Sequence, residues 1–232
     1  AQNAAHYAVQ KPDEVTDLVD FKQPEISDTD LKAPIYIDFG PTSLSATPWN
    51  NITSHQESST TSWIKDVENN YTNIGVRVLD GFTATHAGVG SEPASPVTVD
   101  GVEFPLTAWK DGLLVKGEKN QGDVGPGRIE ISQLDVARKY NFTILAIRFN
   151  GSKDARISSY KLVGKTESAV KEVKTGIKDA ASFAAANFEE YIAKFENVEP
   201  DSEGKVIVEV KGLDTGSAAE GHINALCISL AK

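Results

Sequence analysis

Three tryptophans stand alone or beside planar and charged polar residues: Trp49-Asn50-Asn51, Trp63 and Trp109-Lys110-Asp111. These residue types suit sugar recognition, in which a flat ring covers the apolar face of a pyranose while amide and carboxylate groups take up its hydroxyls. Trp49 and Trp109 lead as stacking platforms, with Asn50, Asp111 or Arg148 directing the hydroxyls. The competing use of each ring is as a plug closing the end of a hydrophobic core. Arg148, Asp154 and Arg156 form a second candidate, a polar clamp in which guanidinium groups donate in fixed geometry to sugar oxygens and the aspartate accepts. An Arg-Asp pair that pins the loop from residue 150 to 155 explains Asp154 and Arg156 structurally.

Other chemistries have weaker signals. The four histidines, His6, His55, His86 and His222, are scattered and lack the spacing of a zinc site. There is no G-x-S-x-G nucleophile elbow and no phosphate-cradling glycine loop. Among 33 acidic residues a pair suited to glycoside hydrolysis stays open, because the required carboxylate separation is a three-dimensional fact. Oxygen ligands for a structural Ca²⁺ occur in the loop Glu199-Pro200-Asp201-Ser202-Glu203-Gly204 and the turn Asn120-Gln121-Gly122-Asp123. Neither matches a defined calcium loop, so solvated turns are the expectation and no cofactor is assigned. Cys227, the single cysteine, lies in the apolar run Ala225-Leu226-Cys227-Ile228 and reads as core; it leaves no partner for an internal disulfide.

A net charge of -10 argues against a nucleic-acid partner, since phosphate binding needs clustered Lys and Arg. No apolar run approaches the roughly 18 residues that cross a bilayer. With 40% hydrophobic and 24% charged residues the chain has globular composition, and its 232 residues fit one sandwich or barrel. Sequons begin at Asn51, Asn70, Asn141 and Asn150, but Asn141 falls in a strongly apolar strand-like run where a glycan could not be housed.

These candidates need a scaffold, and the pattern supplies one. Residues 1–33 are polar and acidic and read as a leader segment or linker; residues 34–232 read as a single domain. From Ile35 the period becomes two: Ile35, Ile37 and Phe39 alternate with Tyr36 and Asp38. The runs 75–79, 96–99, 113–116, 128–131, 160–163 and 206–210 behave alike, separated by turn dipeptides such as Asp80-Gly81, Asp100-Gly101, Asp111-Gly112 and Asn150-Gly151. Tyr140 to Phe149 and Ile223 to Leu230 are apolar on both faces, as central strands covered on both sides must be. The expected fold is therefore all-β, a two-sheet antiparallel β-sandwich. Residues 179–198 conflict with it: their Ala and Glu content favours helix, while the tail alternates as a strand does.

From Ile35 to the C-terminus the order of motifs resembles a family of secreted, galactose-binding-like jelly-roll proteins of polysaccharide-degrading gut bacteria, described as carbohydrate-binding. The resemblance rests on IYIDFGPTSLSATPWNNIT, VEFPLTAWKDG, LDVARKYNFTILAIRFNGSKDARISSYKLVGKT, the AAAN at 184–187 and FENVEPDSEGKVIVEV. It departs from the family at Ala146-Ile147-Arg148, where members more usually carry Gly-Ser-Arg. The resemblance implies a jelly roll, a loop and then a strand from about Glu190 to Val198, and a site role for Asn187 at the same rim; the commoner use of a loop asparagine, satisfying backbone groups in a turn, is the alternative for Asn187. It also implies an oligo- or polysaccharide ligand and a secreted, periplasmic or cell-surface setting. Non-catalytic glycan binding is the functional expectation. A surface protein-interaction or structural module, and a glycan-active enzyme on a jelly-roll scaffold, are the alternatives.

Overall fold

A computed structural model describes residues 31–116, 126–149, 156–213 and 220–232. In chain order the elements are β1 (Ile35–Phe39), β2 (Trp49–Ile52), β3 (Thr60–Thr61), β4 (Gly75–Asp80), β5 (Ala84–His86), β6 (Val97–Val99), β7 (Val102–Phe104), α1 (Leu106–Trp109) and β8 (Gly112–Lys116). There follow β9 (Gly127–Ser132), β10 (Tyr140–Leu145), β11 (Arg148–Phe149), β12 (Ile157–Val163), β13 (Lys171–Lys174), β14 (Gly176–Ile177) and α2 (Ala180–Ala184). After a 3₁₀ turn at Phe188–Tyr191 come β15 (Ile192–Val198), β16 (Val206–Gly212), β17 (Glu220–Ile223) and β18 (Ala225–Leu230). Each period-two run becomes a strand.

Two large sheets face each other. One has the order β15-β10-β18-β1-β2 and the other β13-β12-β16-β9-β4-β3. Pairing is antiparallel throughout both, except that β2 runs parallel to β1. The alternation dictates the core: Ile35, Ile37, Phe39, Phe142, Ile144, Leu226 and Ile228 of the first sheet pack on Val76, Val78, Ile129, Ile131, Tyr160, Leu162 and Val208 of the second. The fold is an all-β, two-sheet sandwich of the jelly-roll type. Leu31 and Ala33 are buried too, so the packed domain includes residues assigned above to the leading segment.

The first sheet is covered on its outer face as well. Leu145, Ala225 and Cys227 lie in a second cluster with Ile147, Phe149, Val97, Val99, Phe104, Trp109, Phe183 and Tyr191, brought by the β6–β7 hairpin and the two short helices. This double burial is why two runs are apolar on both faces. The hairpin turns at Asp100-Gly101, both at positive φ (52° and 75°), the conformation that a two-residue type I′ turn requires. Within residues 179–198 the strand forms as expected, while the preceding loop contains α2, whose first turn is capped by Asp179 accepting from Ser182 N at 2.8 Å. Alanine propensity is thus expressed in one short helix before tertiary pairing takes over.

Both two-faced runs are interrupted, and one side chain accounts for it. Asn224 is fully buried between β17 and β18. Its Nδ2 donates to the carbonyls of Trp109 (3.0 Å) and Asp111 (2.6 Å), and its Oδ1 accepts from Ile147 N at 2.7 Å, in the break between β10 and β11. Its backbone continues the sheet, with Asn224 N donating to Leu145 O and Asn224 O accepting from Phe39 N. β17 can then leave the first sheet and pair with β8. Asn224→Ala strands three buried backbone groups, at about 1–3 kcal/mol each. Denaturant unfolding of the variant is expected to show a loss above about 3 kcal/mol on that same basis; a loss within about 1 kcal/mol would contradict the role given to Asn224.

Candidate functional site

Of the two tryptophans favoured as platforms, neither stands free at a loop rim. Trp109 closes the single turn of α1, has no exposed surface, stacks on Phe183 at 4.9 Å and donates its indole N–H to Ser95 O at 3.0 Å. It is a core plug. Trp49 opens β2 opposite Tyr36; its half-buried ring lies 5.0 Å from Tyr36 and 5.7 Å from Phe104. The exposed tryptophan is Trp63, 42% accessible, and the same loop presents Tyr71 at 49%. Trp63 also has φ +53°, a left-handed conformation that is an outlier for a bulky side chain. A strained backbone that holds a large apolar ring in water is an arrangement found at binding sites.

The loop between β3 and β4 is well built. Ile64 N donates to Ile74 O, Thr72 N to Ile64 O, and Asp66 Oδ1 accepts from Glu68 N and Asn70 N. Lys65 Nζ sits 4.6 Å above the Tyr71 ring. Asn50 is the fastener: Nδ2 donates to Tyr36 O (3.0 Å) and Lys65 O (2.8 Å), and Oδ1 accepts from Lys65 N (2.8 Å). Asn50, expected to direct sugar hydroxyls, here positions the loop, its amide hydrogens both taken up by backbone carbonyls. Tyr36 also lines a groove of about 230 Å³ over the first sheet, with Asn141, Thr143, Lys194 and Ser229 as polar wall. An Asp100–Lys194 ion pair belongs to the same lining. Asn50 thus ties the groove and the aromatic loop together.

Asp111, expected at the rim, is wholly buried: Oδ2 accepts from Thr42 N (2.7 Å) and Ser43 N (3.0 Å). Asp38, also buried, accepts from Ser45 N at 3.0 Å. The two aspartates tie down the segment from Gly40 to Ser45, each with its Oδ1 lacking a hydrogen-bond partner. Burial, reinforced by Asp111, pushes the Asp38 carboxyl up to about 7 against the bonds from Ser45. A carboxyl with that property would suit acid catalysis, but this one has no accessible surface. Asn187 is a cap as well, its Oδ1 accepting from Glu189 N at 3.3 Å. In the acidic loop, Asp201 Oδ1 accepts from Glu203 N and Lys205 N, and Glu199 pairs with Lys139 and Lys165. The turn at 120–123 lies outside the described residues. Among the described residues no three His, Cys, Asp or Glu side chains gather as metal ligands.

Beyond Asn224 lies a cluster that scattered sequence positions conceal. Thr175 joins two arginines through the backbone, Arg148 N donating to Thr175 O (2.6 Å) and Thr175 N to Arg156 O (2.9 Å). His86 and His222 meet edge to face with ring centroids 5.0 Å apart. Glu220 Oε2 is 3.5 Å from Arg156 Nη2 and 3.4 Å from His222 Nε2. Asp154, proposed as the partner of Arg156, lies outside the described residues; the carboxylate observed there is Glu220. His222 and the two guanidinium groups hold Glu220 down to about 2 against its burial. Burial holds both imidazoles below their ordinary range, and for His86 the neighbouring His222 and Arg148 add to it. Arg148 Nη1 donates to Ala87 O at 3.1 Å. Arg148 Nε, Arg156 Nε and Nη1, and Thr175 Oγ1 are buried without a hydrogen-bond partner, and each such donor costs about 1–3 kcal/mol.

The raised Asp38 carboxyl has a stability consequence. The folded chain holds a proton that the unfolded chain releases at its ordinary value of 3.8, so Asp38 costs stability increasingly as pH rises from 3.8 through about 7. Asp38→Asn keeps an oxygen for Ser45 N and removes the titration. The melting temperature of the variant minus that of the parent is expected to climb between pH 5 and 8; a difference independent of pH would contradict the shift.

No family model and no curated protein match the chain. Among solved structures, the ANXUR1 extracellular domain from Arabidopsis thaliana overlaps 75% of this chain and 46% of its own length at 9% identity and TM-score 0.44. A CBM36-1 domain of a multidomain xylanase from the hindgut metagenome of Trinervitermes trinervoides overlaps 61% of this chain and 90% of its own length, at 11% identity and TM-score 0.32. A truncated AlyQ with CBM32 and alginate lyase domains overlaps 66% of this chain and 33% of its own length, at 13% identity and TM-score 0.30. This chain thus corresponds to under half of the ANXUR1 ectodomain, and the fold assignment rests on its own strand pairing.

Proposed function

We propose that this chain binds an oligo- or polysaccharide without cleaving it, using Trp63 as the stacking platform. The observation that carries the reading is the exposed indole on a loop fastened by Asn50, at a left-handed backbone conformation that is an outlier for a bulky side chain. A neutral, strongly hydrated ligand gains little from the net charge of -10, so its affinity must come from ring stacking and placed hydrogen bonds. The groove beside Tyr36, walled by Asn141, Thr143 and Ser229, offers such bonds on the side to which Asn50 fastens the loop. The most strongly raised carboxyl among the described aspartates and glutamates, Asp38, has no access to a substrate, which favours binding over hydrolysis. The setting that goes with this reading is extracellular, periplasmic or at the cell surface, where polysaccharides are met.

Affinity electrophoresis against a panel of neutral and acidic polysaccharides tests it. At least one polysaccharide is expected to retard the parent chain, and Trp63→Ala should weaken that binding about tenfold or more, a difference of about 1.4 kcal/mol. Trp63→Gly should lose binding equally while melting at the same temperature or higher, because glycine adopts a positive φ without strain. By contrast, Trp109→Ala removes a core aromatic and should cost about 3–5 kcal/mol of stability. Retention of the Trp63 variants equal to that of the parent, or no retardation by any polysaccharide, would sink the proposal.

A further inference from the structure

We infer that the cluster of Arg148, Arg156, Thr175 and His222 is a receptor for an oxyanion, either the carboxylate of an acidic sugar or a free anion such as sulfate. Two guanidinium groups share one facing carboxylate, Glu220. The other carboxylate within electrostatic reach of Arg148 is Glu92, whose oxygens already accept from Val89 N and Gly90 N. With both imidazoles neutral, the cluster keeps a net positive charge inside a chain whose overall charge is -10. Arg156 is 4% exposed and Thr175 and His222 are fully buried, so bulk solvent does not reach the donors on these residues. Those donors, Arg148 Nε, Arg156 Nε and Nη1, and Thr175 Oγ1, are what an oxyanion accepts from, and the planar guanidinium fork matches it in geometry.

The site is preorganised and has an approach. Arg148, Thr175 and Arg156 are locked to one another through their backbones, and Glu220 and His222, two residues apart, share one face of β17. Arg148 and Glu220 are only half-buried, so the cluster meets solvent on their side. This inference stands apart from the Trp63 platform: the residues are different, and Trp63→Ala should leave it unchanged.

The test is thermal melting of the whole chain at constant ionic strength, with sodium chloride replaced stepwise by sodium sulfate, sodium acetate or sodium D-galacturonate, and with D-galactose as the neutral control. At least one oxyanion should raise the melting temperature saturably, galactose should not, and Arg148→Met should abolish the rise. The variant also serves as the control for the general stabilisation that sulfate gives by exclusion from protein surfaces, since that effect persists in it; the rise to be abolished is the part beyond this common effect. A rise with galacturonate alone assigns the site to an acidic sugar; a rise with sulfate and acetate as well assigns it to free oxyanions. Should the variant fail to fold, the side-chain Nε–H resonances of Arg148 and Arg156 in the parent report directly and should move with the same saturation. No rise beyond that in chloride together with unmoved resonances, or an equal rise in Arg148→Met, would overturn the inference.

Discussion

The buried side chain of Asn224 is the point through which the sandwich is organised. Its amide answers three backbone groups that no strand can reach: two carbonyls at the end of α1 and the N–H of Ile147. An apolar residue there would leave them unmet in a region closed to water, and unmet buried backbone groups are rare in native proteins. Because the contact is made, the chain can change sheets between β17 and β18, the helix that carries Trp109 can seat on the outer face, and Asp111 can reach back to the segment after β1. The polar cluster beyond it inherits its geometry, since Arg148 follows directly on Ile147 and His222 lies two residues before Asn224.

Covering the first sheet on both faces has a cost in available residues. Most large aromatic rings are consumed by packing: Trp109 on Phe183, Trp49 between Tyr36 and Phe104, and Phe188 between Phe183 and Tyr191. What is left for a ligand is what the core does not use, and the loop after β3 holds the residual tryptophan exposed, at a positive φ. The rigid elements and the exposed loop are therefore parts of one arrangement, joined by the three hydrogen bonds of Asn50.

Strands and turns were legible because side-chain period and turn chemistry are local properties. Ile35, Ile37 and Phe39 alternate in the sequence as they do in the sheet, and Asp100-Gly101 announces its turn. Burial of individual polar and aromatic residues is a tertiary property, and there the reading failed. Trp109-Lys110-Asp111 looks like an exposed loop, but a helical turn points the indole inward and Asn224 closes over the carbonyls. Glu220, His86 and His222 escaped notice because His86 and His222 meet only after β5 and β17 both pair with β8. The one local hint was the two-residue spacing of Glu220 and His222, which places both on one face of a strand. Trp63 lacks the adjacent amide or carboxylate that marks Trp49 and Trp109, and its exposure is a tertiary property.

The account as a whole predicts that ligand contact occurs where the fold leaves an aromatic ring in water and not where it has buried one. Indole and amide NMR of the labelled chain, titrated with oligosaccharides cut from a polysaccharide that the chain binds, tests this most directly. The indole N–H of Trp63 and the amides from Lys65 to Tyr71 should shift together with one dissociation constant, while the indole of Trp109 stays in place. Shifts centred on Trp109 or α1, with the loop after β3 silent, would contradict it.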